Sequence, residues 1–133
     1  MKIGITATRK GADELQLFWL ESKLRQLYKP GGEFHHGDCI GGDAQGFEIA
    51  KAIGYKTVAH PPECDRYRAF TESDIILPPR PYMSRNYAIV ITVDRLLVVP
   101  HDWEDKERRS GTWATKRMAQ RHKKPYDVLI WKD

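Results

Sequence analysis

The feature that most constrains this chain is a regular alternation of strand-length runs with longer segments whose apolar residues recur at helical spacing. The strand-length runs are Lys2–Thr6, Glu33–His36, Lys56–His60, Arg95–Val99 and Tyr126–Trp131. After the first, Leu17, Leu20, Leu24 and Leu27 form a helical stripe, opened by Asp13 and Gln16 at capping-box spacing and closed by Pro30-Gly31-Gly32. Gly41–Ile53 reads as a second helix stopped by Gly54, since glycine tolerates the left-handed conformation of a helix C-terminus. Ser84 is placed to cap a third helix running to about Thr92, and Thr112–His122 reads as the last, ending before Pro125. Two connections are longer. Residues 63–81 hold three prolines and many charges and read as a loop over one sheet edge; residues 101–109 form a second charged loop.

Five strands alternating with four helices predict an α/β fold, because neighbouring parallel strands need crossover connections and those are right-handed. With 133 residues the chain is sized for one domain with one core, spanning 1–133. The expected architecture is a three-layer sandwich around a mostly parallel sheet in the order 3-2-1-4-5. In such a sheet the chain reverses direction between strands one and four, and ligands bind at the carboxyl ends of the strands there.

Charge narrows the function classes. The formal net charge of +4 is concentrated: residues 106–124 carry eight Lys and Arg against the single acid Glu107. Local basicity favours a site for an anion over a uniformly cationic surface. The longest apolar runs are four or five residues, far below the roughly 20 of a membrane span, so no membrane partner is expected. A strand-like run directly after Met1 leaves no room for a signal peptide, and two cysteines, Cys39 and Cys64, make no disulfide framework; the expected location is cytoplasmic.

Four motifs fall at the predicted carboxyl edge. Gly4-Ile5-Thr6-Ala7-Thr8-Arg9 puts hydroxyls and a guanidinium on a turn where phosphate can approach backbone. His36-Gly37-Asp38-Cys39-Ile40-Gly41-Gly42-Asp43 is a glycine-rich strand-to-helix turn, with Gly37 and Gly41 freeing backbone N–H groups and Asp38 or Asp43 available to sugar hydroxyls. Tyr82-Met83-Ser84-Arg85-Asn86 opens the third helix. Arg108-Arg109-Ser110-Gly111-Thr112-Trp113 opens the last with two arginines, a capping hydroxyl and a glycine, a composition suited to phosphate at a helix N-terminus.

Taken in order, Gly-Ile-Thr-x-x-Arg, His-Gly-Asp-Cys-x-Gly-x-Asp, Arg-Asn and Arg-Ser-Gly-Thr-Trp-Ala-Thr resemble the SLOG superfamily. This Rossmann-like group includes the DprA (Smf) and Lonely Guy (LOG) proteins, and the present motifs look most like its small single-domain phage and bacterial members. The resemblance covers nearly the whole chain. It implies a Rossmann-like fold, a nucleotide or nucleotide-derived phosphorylated ligand at the switch point, and a homo-oligomer, often a dimer. Thr6, Thr8, Arg9, Gly37, Asp38, Gly41, Asp43, Arg85, Asn86, Arg109, Ser110, Gly111 and Thr112 are the ligand-binding candidates.

The LOG enzymes, which cleave nucleotides at the N-glycosidic bond, carry a Pro-Gly-Gly-x-Gly-Thr-x-x-Glu pattern with a catalytic glutamate. Here Gly111-Thr112 match its phosphate-binding part, and Thr115 stands where the glutamate would be. A threonine cannot supply that carboxylate. The primary expectation is therefore a binding module, acting as sensor or sequestering protein. A nucleotide N-glycosidase using Asp38 or Asp43 is the alternative, and DprA-like single-stranded DNA binding by the 106–124 tract, with Tyr82, Trp103 and Trp113 for base stacking, is the third. No cofactor and no metal site is implied: His35 and His36 are adjacent on a strand and point to opposite faces. Cys39, just ahead of a helix, is a minor candidate for a thiol of lowered pKa.

Overall fold

A computed structural model describes residues 1–101 and 111–130. The elements run β1 (Lys2–Ala7), α1 (Glu14–Leu27), β2 (Glu33–His36), α2 (Gly42–Ile53), β3 (Lys56–Ala59), β4 (Ile75–Ile76), α3 (Tyr82–Thr92), β5 (Arg95–Val99), α4 (Gly111–Arg121) and β6 (Tyr126–Val128). All strand pairs are parallel, in the order β4-β3-β2-β1-β5-β6. Without β4 this is the order 3-2-1-4-5 that the alternation predicts.

The extra strand lies inside the stretch read as loop. Two residues show no period, so nothing local announces it; a side chain pins it instead. The Asp74 carboxylate accepts from Thr57 N at 2.8 Å and Thr57 Oγ1 at 3.0 Å, and Thr57 Oγ1 accepts from Asp74 N at 3.0 Å. That reciprocal pair lays Ile75 and Ile76 beside Val58 and Ala59.

Alternation along each strand builds one apolar layer per face. Ile3, Ile5, Leu97 and Val99 pack with Leu20 and Leu24 of α1 and Ala50 of α2. Leu96 and Val98 point the other way, onto Ile89, Val90 and Val93 around α3 and Met118 and Ala119 of α4. The result is the expected three-layer sandwich. Asp13 and Gln16 form the capping box, but Gln16 does more: its buried amide donates to Pro100 O at 2.7 Å and Leu129 O at 2.9 Å, tying α1 to the chain beyond β5 and β6. One cap differs from expectation. Pro81, not Ser84, precedes α3, with φ −55° already fixed by its ring, so Ser84 lies inside the first turn.

Candidate functional site

The carboxyl ends of β1, β2, β3 and β5 meet at one edge, and two turns interlock there. Thr8 donates its N–H to Val99 O at 2.9 Å, while its carbonyl accepts from Gly11 N at 3.3 Å and Gly42 N at 2.8 Å. Gly41 has φ +86°, and a Cβ there would lie 2.7 Å from Thr8 O and collide with the Arg9 carbonyl. Only glycine lets α2 begin this close to the first turn. Thr8 is buried, Thr6 half-buried and Arg9 exposed, with its guanidinium 4.1 Å above the Tyr67 ring.

Arg85 crosses this edge from the first turn of α3. It is only 6% exposed, yet its guanidinium reaches back over the sheet ends. Nη1 donates to Gly37 O and, at 3.1 Å, to His60 O; Nη1 and Nη2 also lie 3.9 and 3.8 Å from Cys39 Sγ, and Nε donates to Asn86 Oδ1 at 2.7 Å. None of the ion pairs among the described residues involves it. The nearby charge is Asp43: a Cβ on Gly37 would sit 2.5 Å from Arg85 Nη1 and 2.8 Å from Asp43 Oδ2, so Gly37 holds the narrow gap between them. Asp43 Oδ2 accepts from Gly37 N at 3.0 Å and Cys39 N at 3.4 Å. Burial raises the Asp43 pKa to about 6, against the opposing pull of Arg85 and of those backbone donors.

Asp38, expected to be available to a sugar, is buried and already bonded in this structure. Its carboxylate is 1% exposed and filled by the segment 68–71: Arg68 Nε donates to Oδ2 at 2.9 Å, and Thr71 N and Oγ1 donate to Oδ1 at 2.9 and 2.8 Å. Backbone bonds from Ile40 N to Tyr67 O and Ala69 N to Asp38 O complete a strap over the glycine-rich turn. The hydrogens in this network can be followed one by one. His36 Nδ1 accepts from Asp38 N at 3.0 Å, so Nε2 carries the proton and donates to Ser73 Oγ at 2.8 Å; Ser73 donates to Thr71 Oγ1 at 2.9 Å, whose own hydrogen goes to Asp38.

A second chain runs along β2 and β3. The half-buried Glu33 carboxylate accepts from His35 Nε2 at 2.8 Å, which leaves His35 Nδ1 to accept from His60 Nε2 at 2.8 Å and gives His60 Nδ1 the lone pair. Burial lowers the pKa of all three histidines, to about 4 for His36 and about 3 for His60, so they are neutral near pH 7. The side chains of His35 and His36 do leave on opposite faces.

The Cys39 thiol departs from expectation. Burial and then the Asp43 carboxylate push its pKa up, outweighing Arg85, so the residue is a poor nucleophile despite lying next to α2. Gly111 opens α4 in the open and Thr112 is buried behind it, both at the end of the connection from β5; Arg109, Ser110 and Trp103 lie outside the described residues. Thr115, at the position of the LOG glutamate, spends its hydroxyl on Gly111 O at 2.7 Å. The segment Arg66-Tyr67-Arg68-Ala69-Phe70 was not among the motifs read from sequence, though its alternation of arginine and aromatic residues was the available signal. Arg66 lies 5.0 Å from the same Tyr67 ring that Arg9 covers, and Arg68 stacks 4.5 Å over Phe70.

No protein-family model and no curated protein sequence matches the chain. Solved structures do. The molybdenum cofactor binding protein of the phototrophic bacterium Rippkaea orientalis superposes with a TM-score of 0.72 at 17% identity, over 96% of this chain and 74% of that one. DNA processing protein A from Helicobacter pylori, which binds single-stranded DNA, gives 0.73 at 20% identity, over 99% of this chain and 66% of that one. The Moco carrier protein of Chlamydomonas reinhardtii gives 0.69 at 21%, over 96% and 75%. The chain shares the fold of these proteins, a Rossmann-like α/β arrangement with a parallel sheet, as its strand and helix alternation implies.

Proposed function

We propose that this chain binds a phosphorylated, nucleotide-like small molecule at the carboxyl ends of β1, β2, β3 and β5, with Arg85 and Arg9 as its cationic contacts. The observation that carries the reading is the Arg85 guanidinium: buried, bonded mainly to carbonyls and a thiol, and outside every ion pair among the described residues. A desolvated cation in that setting gains most from an incoming anion, and a phosphate accepts paired guanidinium N–H bonds. Arg9 adds a second guanidinium held on Tyr67. Gly111, Thr112 and, beyond the described residues, Arg109 and Ser110 would close the phosphate end; Thr6, Thr8, Gly37, Gly41 and Asn86 would shape the backbone wall. Asp38 and Asp43 fit a scaffold role better than a catalytic one, since both already hold the glycine-rich turn. The names of the solved neighbours speak of binding or carrying a ligand, in keeping with a sensor or sequestering module.

Thermal shift and calorimetry with nucleoside monophosphates, cyclic nucleotides and ADP-ribose test the reading. One of these classes is expected to stabilise the chain, with Arg9→Ala and Arg85→Lys each weakening it several-fold and no free base released on incubation. Stabilisation by none of them overturns the proposal, and base release abolished by Asp43→Asn would establish the glycosidase instead. A second reading rests on the arginine and aromatic rim of Arg9, Arg66, Tyr67, Arg68 and Phe70, which suits the stacking of single-stranded nucleic acid. Its signature is oligonucleotide affinity that falls steeply with salt and is lost in Tyr67→Ala.

A further inference from the structure

The two outer faces of the sandwich are complementary. On α3, Met83, Tyr87 and Ile91 recur every four residues and are 57%, 44% and 47% exposed, forming one apolar stripe along the helix. Its surroundings are mostly basic, with one exposed acid, Asp94, beyond the end of the helix, where it accepts from Lys2 N at 2.7 Å. Helices α3 and α4 with the turn that follows, through Lys124, contain no acidic residue. His122 packs edge-on against Tyr87 at 5.4 Å, and Lys124 Nζ donates to Val93 O at 2.7 Å at the end of α3. Arg121 and Lys123, the neighbours of His122 in the chain, are exposed.

The opposite face carries the counterpart. Between α1 and α2 runs a groove of about 480 Å³, lined by Leu17, Phe18 and Ile49 and by Glu14, Glu21 and Glu48, with no base in its lining and with Arg25, 3.6 Å from Glu21, just outside it. Phe18 is 65% exposed, the most of any large apolar residue of the described chain. A stripe rimmed by cations and a groove rimmed by carboxylates meet both requirements of an interface: apolar contact at its centre and opposite charge at its edge. Pairing either face with itself would bring like charges together.

We propose that the groove between α1 and α2 receives the α3 stripe of a second copy of this chain. Because the two surfaces lie on opposite sides of the sheet, the contact is head-to-tail, and each copy offers one stripe and one groove. Such contacts propagate into an open chain or close into a ring, unlike the two-fold dimer that uses one surface twice. The contact is independent of the ligand site, since neither surface contains a residue proposed to hold the ligand.

The experiment uses two exposed substitutions, Phe18→Lys in the groove and Ile91→Glu on the stripe, each checked for an unchanged circular dichroism spectrum. Sedimentation velocity of the native chain should show assembly that grows with concentration and weakens as salt rises. Each variant alone should sediment as a monomer. An equimolar mixture should recover a one-to-one dimer and nothing larger, because the intact stripe of Phe18→Lys fits the intact groove of Ile91→Glu and no further site remains. A native chain monomeric at high concentration and low salt overturns the proposal. So does a native dimer untouched by either substitution or broken by only one of them, the latter being the result expected of a two-fold interface that uses one surface twice, and so do two monomeric variants whose mixture stays monomeric.

Discussion

Acidification from pH 7 to pH 5 should destabilise this fold in a way that can be traced to its buried histidines. In the folded chain His36 and His60 remain neutral down to pKa values of about 4 and about 3, whereas in the unfolded chain each takes up a proton near pH 6.5. Their contribution is therefore complete above about pH 6.5 and is lost progressively below it. At about 1.4 kcal/mol per proton and pH unit, the two cost about 4 kcal/mol between pH 6.5 and pH 5. Asp43 acts in the opposite sense. Its folded pKa of about 6 lies above the ordinary 3.8, so the penalty for ionising it is relieved as the pH falls through 6, returning about 1 kcal/mol by pH 5. The net loss is about 2–3 kcal/mol, to which His35 adds in the same direction. Urea unfolding followed by tryptophan fluorescence at half-unit pH intervals gives the slope, and His60→Gln should reduce it by about one proton. Stability that is flat or rises between pH 7 and pH 5, or a slope unaltered in His60→Gln, would refute the reasoning.

Asp38→Asn removes the ionic partner of Arg68 and should release the strap; trypsin cleavage after Arg66 and Arg68 should accelerate at least tenfold, with a stability loss of up to about 3–5 kcal/mol as for a broken buried ion pair. Gly37→Ala puts a methyl into the gap between Arg85 and Asp43, so the guanidinium must move. The expected cost is about 1–3 kcal/mol in a denaturation midpoint, together with weaker binding of any phosphorylated ligand found by thermal shift. Cys64 is exposed and Cys39 buried with a raised pKa, so iodoacetamide at pH 8 should label Cys64 within minutes and Cys39 only on unfolding, as read by peptide mass spectrometry.

What the sequence made legible follows from how local each signal is. Strands such as Arg95–Val99 and the capping box at Asp13 and Gln16 are written within a few neighbouring residues, and the order of the central strands follows from the alternation together with the handedness of crossovers. β4 rests on Asp74 gripping Thr57, 17 positions away, and has no pattern of its own. The same distance hid the surroundings of two candidates. Asp38 looked free for a sugar because its partners, Arg68 and Thr71, lie 30 and 33 residues downstream. Cys39 looked activated because position next to a helix is visible in sequence and burial beside Asp43 is not. Arg85, by contrast, was picked out by a motif, but its reach to the carbonyls of Gly37 and His60 belongs to the packed molecule.

The tight seating of Gly41 against Thr8 and Arg9 divides the carboxyl edge into a fixed half and an adjustable one. The turns after β1 and β2 are locked to one another by backbone, with Thr8 bonded also to β5, and no side chain separates them that could yield to a ligand of another shape. Across from them, the strap hangs on the Asp38 carboxylate, and Arg85 reaches in from a helix on flexible methylenes. If this edge holds the proposed ligand, discrimination between ligands falls to residues 65–71 and to the first turn of α3. Substitutions there should change which molecule is held, whereas substitutions at Gly41 and Gly42, where the backbones of the two turns touch, should change only whether the edge forms.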